Sequence, residues 1–419
     1  MDFLLLDAVL YSISLIIFII YYKRVNAFII LWSMNTFVAI LGYVSVKMQI
    51  YTIEDPNIGY KISIMPIIFN YVFTFILCSP FLSYRERSIS LFPNFQQNKF
   101  ANKLLIFISI LVVFVFITKG IETLIMSQFD ASVIYEQRRD GISYNVFGSY
   151  FFSKICNVCY GIYISTYSIL ILFAISMYAE THKRKYLALM VFALAPRLLG
   201  GISAASRGDM FFAIAEMSFF YLILNRYLSK KDRVFIYLTG LCIVAIFFIQ
   251  SLTITEARFS GSSRKSRLTN TQSILKYFGE SHVNFTYLIY DKVRDYPNGA
   301  RLFNIGNEKK FSNINEERDY WDIKTKVPIR VFKTAGGDCY LEYGLIGALI
   351  FVIIFALLWK KIVFSKQHKY YITPLIYLYF HICFFGVFDF YFTYMAIQGL
   401  VILSFFCYLL KKTLVPTKN

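Results

Sequence analysis

Charge is scarce in this sequence. Asp, Glu, Lys and Arg make up 16% of the 419 residues, against 57% hydrophobic residues. Soluble globular domains carry about a quarter charged residues, so that class is excluded. Histidine is scarcer still, with four residues. No His, Cys, Asp or Glu group has the spacing of a metal site. The signatures of nucleotide, serine-hydrolase and zinc-protease chemistry are also missing. There is no P-loop, no G-x-G-x-x-G, no G-x-S-x-G elbow and no H-E-x-x-H. The seven cysteines form no disulfide framework. Cys156 and Cys159 have C-x-x-C spacing, but they lie in an apolar run with no second pair, as packing residues do. Cys78, Cys242, Cys383 and Cys407 are also in apolar runs, and Cys339 stands alone.

What is abundant is apolar, aromatic and basic. The chain holds 44 Phe and 33 Tyr and has a net charge of +18. A basic protein invites a nucleic-acid reading, yet no motif supports one. Many of the basic residues instead fall in short connections between apolar runs, as in polytopic membrane proteins. The N-terminal run carries Asp2 and Asp7 where a cleaved signal would be basic, so it reads as a first membrane helix.

A crossing helix needs about 20 apolar residues. The hydropathy pattern predicts an all-α polytopic membrane protein with about eleven spans, near 3–22, 26–46, 62–82, 103–119, 155–178, 187–205, 209–226, 234–253, 341–359, 371–388 and 391–410. Within 371–410 only Asp389 interrupts the apolar run. Alternate connections are basic: Lys23 and Arg24, Arg85 and Arg87, Lys183 to Lys185, Lys230 to Arg233, Lys360 and Lys361, then Lys411 and Lys412. The positive-inside rule then places the N-terminus outside and the C-terminus in the cytoplasm.

One polar stretch breaks this pattern. It divides the chain into helices over 1–253, a large extracytoplasmic loop over 254–335, and further helices with a cytoplasmic tail over 336–419. The loop contains Phe285, Tyr287, Tyr290, Tyr296, Tyr320 and Trp321, enough apolar surface to fold against the membrane helices. Ile274 to Arg294 is expected to form an amphipathic helix along the outer surface. A second outward loop carries Arg138, Arg139 and Asp140.

Several charges stand where they are costly or exposed to a ligand. Ser206 to Asp209 reads SRGD at the tip of a helical hairpin, and Arg207 is either an interfacial arginine or an anion clamp. Arg197 lies ten residues earlier, about 15 Å deep, where a charge needs a partner or a wet cavity. Glu216 is placed at the same depth on the returning helix and is the expected partner. Arg258, Arg264, Lys265, Arg267 and Lys276 cluster early in the long loop; Arg294, Arg301 and Arg330 follow. They form either a diphosphate-attracting field or solvated surface. Glu280, His282, Asp291 and Asp295 are candidate proton acceptors. At the end of the loop, Asp338 and Glu342 are four residues apart, on one face if helical. Their open roles are base or holder of arginines. Glu54-Asp55-Pro56-Asn57 reads as a turn.

The segment T-x-x-x-D-x-Y-x-E-Y-G-x-x-G, here Thr334, Asp338, Tyr340, Glu342, Tyr343, Gly344 and Gly347, resembles the loop-to-helix junction of Wzy-type oligosaccharide repeat-unit polymerases. Ser206-Arg207-Gly208 resembles that family's upstream arginine turn. The related O-antigen ligases carry a histidine near the position of Thr334, which this chain lacks. The resemblance implies a glycosyltransferase of the bacterial inner membrane that joins undecaprenyl-diphosphate-linked repeat units into O-antigen or capsular polysaccharide. Metal and nucleotide cofactors are not expected. Implied partners are lipid-linked glycans, membrane lipid and a chain-length regulator, with no nucleic acid. Arg207, Arg197, Arg258, Arg264, Arg267, Arg138 and Arg139 would bind diphosphate. Glu342, Asp338 or His282 would act as base, supported by Glu216, Tyr340 and Asp209. A ligase-like transferase and a lipid-linked oligosaccharide flippase are the alternatives; the long loop and the absence of an internal repeat weigh against the flippase.

Overall fold

The computed structural model describes residues 3–51, 63–84, 99–129, 134, 147–203, 207–260, 269–307, 309–311, 314–363, 370–390, 392 and 394–412. Within the helices, the side chains of 99–101, 207–210, 247–248, 250–260, 270, 314, 362–363, 370, 394–398, 410 and 412 are not part of that description. All regular structure among the described residues is helical.

The helices are α1 (Phe3–Tyr22), α2 (Ala27–Lys47), α3 (Met65–Cys78), α4 (Lys99–Met126), α5 (Tyr150–Thr181), α6 (Lys185–Ser203) and α7 (Arg207–Leu224). They continue with α8 (Lys230–Ser260), α9 (Asn270–Asn284), α10 (Ala300–Phe303), α11 (Ile314–Thr325), α12 (Thr334–Val363), α13 (Thr373–Phe385) and α14 (Tyr394–Lys412). Among the described residues, seven helical stretches are long and apolar enough to cross a membrane: Phe3–Tyr22, Ala27–Lys47, Met65–Leu82, Asn102–Met126, Tyr150–Thr181, Lys185–Ser203 and Thr334–Lys361. The apolar stretches Phe211–Leu224, Thr373–Phe385 and Gly399–Leu409 are shorter.

Local chemistry sets several boundaries. Asn26 opens α2, its Oδ1 accepting from the Ile29 amide at 2.8 Å. Pro66 sits in the first turn of α3, where its missing N–H costs nothing. His182 takes a left-handed conformation to end α5. Thr269 and Gln272 form a reciprocal capping box at the start of α9.

The chain divides into two compact units. One comprises Met1–Tyr84, Ser262–Ser365 and Tyr379–Ala396; the other comprises Arg85–Gly261, Lys366–Leu378 and Ile397–Asn419. In the first unit, α2 packs against α1 and α9, and α3 against α12. The segment expected as one surface helix over 274–294 is instead α9, ending at Asn284 and followed by a π-helical turn over Phe285–Ile289. It is docked rather than laid on a surface. A Cβ on Gly279 would stand 2.5 Å from the Gly42 nitrogen and 2.6 Å from the Leu41 carbonyl carbon, so the α2 and α9 backbones touch. His282 is 2% exposed, and its Nδ1 lies 2.6 Å from Asp7 Oδ2 on α1. Burial of that pair, with the glycine crossing, explains why the amphipathic pattern does not end at a water-facing stripe.

In the second unit, α4 packs against α5 and α6, and α6 packs against α7. Asp232, in the first turn of α8, accepts from Ser229 Oγ (2.7 Å), Tyr178 Oη (2.7 Å) and Arg184 Nε (2.6 Å). The bonds from Ser229, Tyr178 and Arg184 pull its carboxyl down from 3.8 to about 2. A depressed carboxyl adds stability above its unfolded pKa, and that stability is lost as pH falls through the folded value. An Asp232→Asn protein is therefore expected to melt lower at pH 7 and to lose less on acidification from pH 4 to 2; parallel melting curves in both proteins would exclude the effect.

Candidate functional site

Among the residues that carry the family resemblance, Asp338, Tyr340, Glu342 and Gly344 fasten the polar segment to α12, and Thr334 anchors the start of that helix. Thr334 opens the helix at φ +66°, costly for a β-branched residue. It persists because three consecutive amides, of Lys333, Thr334 and Ala335, donate to Phe388, Phe388 and Gly386 carbonyls at 2.9, 2.8 and 2.6 Å. The Thr334 hydroxyl donates to Asn70 Oδ1 at 2.8 Å and accepts from the Gly337 amide at 3.1 Å.

Gly344 breaks α12 with φ +70° and ψ −176°, a conformation nearly confined to glycine. The break releases the Glu342 carbonyl, which accepts from the Asn298 amide at 2.9 Å. An alanine there would have to leave this conformation and would press on the Tyr296 ring, 3.5 Å from its Cβ. Gly344→Ala is expected to destabilise the protein by about 1–3 kcal/mol and to loosen the 296–301 turn, read as faster amide exchange there.

Glu342 and Asp338 stand side by side on one helical face. Glu342 is 0% exposed, and its Oε1 accepts from the Gly299 and Arg301 amides at 2.8 and 3.1 Å. Its Oε2 accepts from Arg301 Nε at 3.1 Å. Arg301 Nη2 donates to Asp338 Oδ1 at 2.8 Å and to the Asp338 carbonyl at 3.2 Å. Asp338 Oδ2 accepts from the Phe390 amide at 2.8 Å. The guanidinium is thus forked between two carboxylates, its strongest geometry.

Lys333 completes the cluster. Buried to 3% exposure, its Nζ donates to the Ile329 and Val331 carbonyls at 3.0 Å each. The same Nζ is 3.4 Å from Asp338 Oδ1 and 3.4 Å from Asp389 Oδ1. Asp389 has a side chain 39% exposed. Burial and then the Asp338 charge raise its carboxyl to about 7, against the opposing pull of Lys333. Two cations and three carboxylates therefore meet at the junction. Beside them Tyr340 stacks on Tyr290, centroids 5.1 Å apart, and its hydroxyl accepts from the Asp291 amide at 3.2 Å. Among the described residues no group of His, Cys, Asp and Glu is placed to hold a metal ion.

The second unit holds a separate buried group. Arg197 is 3% and Glu216 0% exposed. The guanidinium lies 4.1 Å from the Phe212 ring centroid and donates to the Tyr167 hydroxyl. Arg197, Tyr167 and Tyr377 are the groups that act on the Glu216 carboxylate. Tyr163, stacked on Tyr167 at 4.9 Å, donates to the Ala193 carbonyl at 2.8 Å, tying α5 to α6 near Pro196. The sequence-expected partners share one aromatic box.

Of the expected site residues, the junction unites Asp338, Glu342 and Tyr340, while His282 is committed to Asp7 on α1. Arg138, Arg139, Arg264 and Arg267, with the side chains of Arg207, Asp209 and Arg258, lie outside the described residues. The sequence reading placed Arg301 among the loop arginines that either attract a diphosphate or are solvated surface, and did not single out Lys333 or Asp389 as site residues. Lys333 abuts Thr334, and Asp389 is the lone charge in an apolar run; those are the signals by which they stand out. Compared with protein-family models, curated proteins and solved structures, the chain matches none.

Proposed function

We propose that this chain is a membrane glycosyltransferase of the Wzy-type polymerase class, extending a glycan carried on undecaprenyl diphosphate. The observation that carries the proposal is the junction itself. Asp338, Tyr340, Glu342 and Gly344, residues of the motif that resembles the family's, hold parts of the polar segment against α12, and Thr334 ties the start of that helix to Asn70 on α3. A plain membrane span has no use for two buried carboxylates and two cations at its mouth. A glycosyl transfer from lipid diphosphate does, because it needs fixed positive charge for the leaving group and a proton acceptor for the incoming hydroxyl. Arg301 and Lys333 hold the junction's own carboxylates in place, so the charge that meets the diphosphate falls to other arginines of the chain. In this reading the eleven-span arrangement holds, with the N-terminus and the polar segment outside the cytoplasm. Arg207, at the start of α7, and the arginines at 258, 264 and 267 are the residues that the resemblance implies for the diphosphate.

The test is elongation by purified protein in lipid vesicles, supplied with undecaprenyl-diphosphate-linked repeat units from the producing cell and no nucleotide. Ladders of extended glycan are expected. Arg207→Lys is expected to shorten the ladder and slow its growth at least tenfold, about 1.4 kcal/mol in the transition state. An undiminished ladder removes the bidentate role of Arg207.

A lipid-linked oligosaccharide transporter is the second reading. The observation that favours it is the buried Arg197 and Glu216 box, since charges inside membrane helices also mark transport pathways. Translocation of labelled lipid-linked glycan without elongation would select it.

A further inference from the structure

We propose that Asp389 is the proton acceptor for the incoming sugar hydroxyl, an inference that rests on the polymerase reading of the junction. The argument is one of commitment and access. Glu342 spends its oxygens on two amides and the Arg301 guanidinium and is wholly buried. Asp338 spends one oxygen on Arg301 and Lys333 and the other on the Phe390 amide. Both are buried, so neither is open to a substrate hydroxyl. His282 is buried against Asp7. Asp389 is the carboxylate of the cluster with an open face, 39% of its side chain meeting solvent.

Its position is fixed from below. The Asp389 amide donates to the Phe385 carbonyl at 3.1 Å, and the same turn receives the Lys333 and Thr334 amides at Phe388. Lys333 holds Oδ1 at 3.4 Å. The charged groups facing it are Lys333 and Asp338, with Arg301 beyond Asp338. Desolvation of the side packed against them, then the Asp338 charge, raise its carboxyl against the pull of Lys333, toward the neutral range where a general base works best.

The step balances as a displacement. The acceptor hydroxyl oxygen forms a bond to the anomeric carbon of the donor glycan, and its proton passes to the Asp389 carboxylate. The bond from that carbon to the lipid-diphosphate oxygen breaks, its electron pair leaving on the diphosphate. Asp389 then returns its proton to water.

Two readouts follow with opposite signs. The elongation rate should rise with pH through about 7, because the base acts when deprotonated. Stability should fall over the same window. A carboxyl raised in the folded state contributes most below its unfolded pKa, 3.8, and loses that contribution as pH rises through about 7. Asp389→Asn is expected to slow elongation by about 100-fold or more, and to abolish both the acidic limb of the rate profile and the decline in melting temperature. Asp389→Glu should keep part of the rate and move the limb.

The experiment uses full-length protein in vesicles with undecaprenyl-diphosphate-linked repeat units, assayed from about pH 5 to 9. If wild type elongates and Asp389→Asn elongates equally well, the assignment is overturned and the polymerase reading stands. A flat wild-type profile overturns it too, without any variant that must fold. If wild type never elongates, the polymerase reading itself fails.

Discussion

Arg301→Ala is expected to lower the stability of the purified protein by about 3–5 kcal/mol, the largest effect of any single replacement at the junction. The side chain is 11% exposed, and its two partners are at 4% and 0%. Removing the guanidinium leaves the Glu342 and Asp338 carboxylates desolvated with fewer compensating donors. Most of the loss is the cost of those stranded charges rather than the worth of the original pair. Arg301→Met combined with Glu342→Gln should therefore recover a substantial part of the loss, because it removes one stranded charge and keeps the volume. The check is chemical or thermal unfolding in detergent of wild type, single and double variants. A double variant no more stable than Arg301→Ala would contradict the argument. Elongation should fall in both, since neither keeps the Arg301 bonds that hold the 298–301 turn to Asp338 and Glu342.

Gly279→Val is expected to cost about 3 kcal/mol, near the upper end for overpacking. The added Cβ would overlap the backbone of Leu41 and Gly42 at 2.5–2.7 Å, and a backbone cannot rotate aside as a flexible side chain does. Relief requires α9 to lift from α2, which also pulls His282 from Asp7. The measured signs are a lower melting temperature and faster amide exchange over 270–284. Gly120→Ala, inside α4 where nothing lies within 4 Å of the added carbon, is the control and should be neutral to slightly stabilising. Equal stability for both variants would show that the α2–α9 crossing is not close-packed.

Much of the helical layout was legible because hydropathy and basic connections are local properties. Runs such as 3–22, 26–46 and 62–82 reappear as α1, α2 and Met65–Leu82 with ends shifted by a few residues. The Asp338 and Glu342 pair was legible for the same reason, since four residues along a helix share a face. The end of α9 at Asn284 was not legible. Its amphipathic pattern continues to Arg294, but a π-helical turn at Phe285–Ile289 redirects the chain onto the face that Tyr340 covers. Nor was the fate of His282, whose partner is 275 residues away.

The sequence by itself determined that this is a helical membrane chain with one polar, aromatic-rich segment ahead of a glycine-bearing span. Free-energy differences of that kind depend on composition over some twenty residues, and neighbours in space hardly change them. Which charges work together was decided only in three dimensions. Arg301 was one loop arginine among several, Lys333 an unmarked lysine and Asp389 an interruption in an apolar run. They meet because Gly344 breaks its helix, Glu342 captures the 298–301 turn, and the 386–390 turn caps α12 at Thr334. A buried charge is tolerated only where its counter-charge already stands, and that condition is set by packing between segments far apart in the chain.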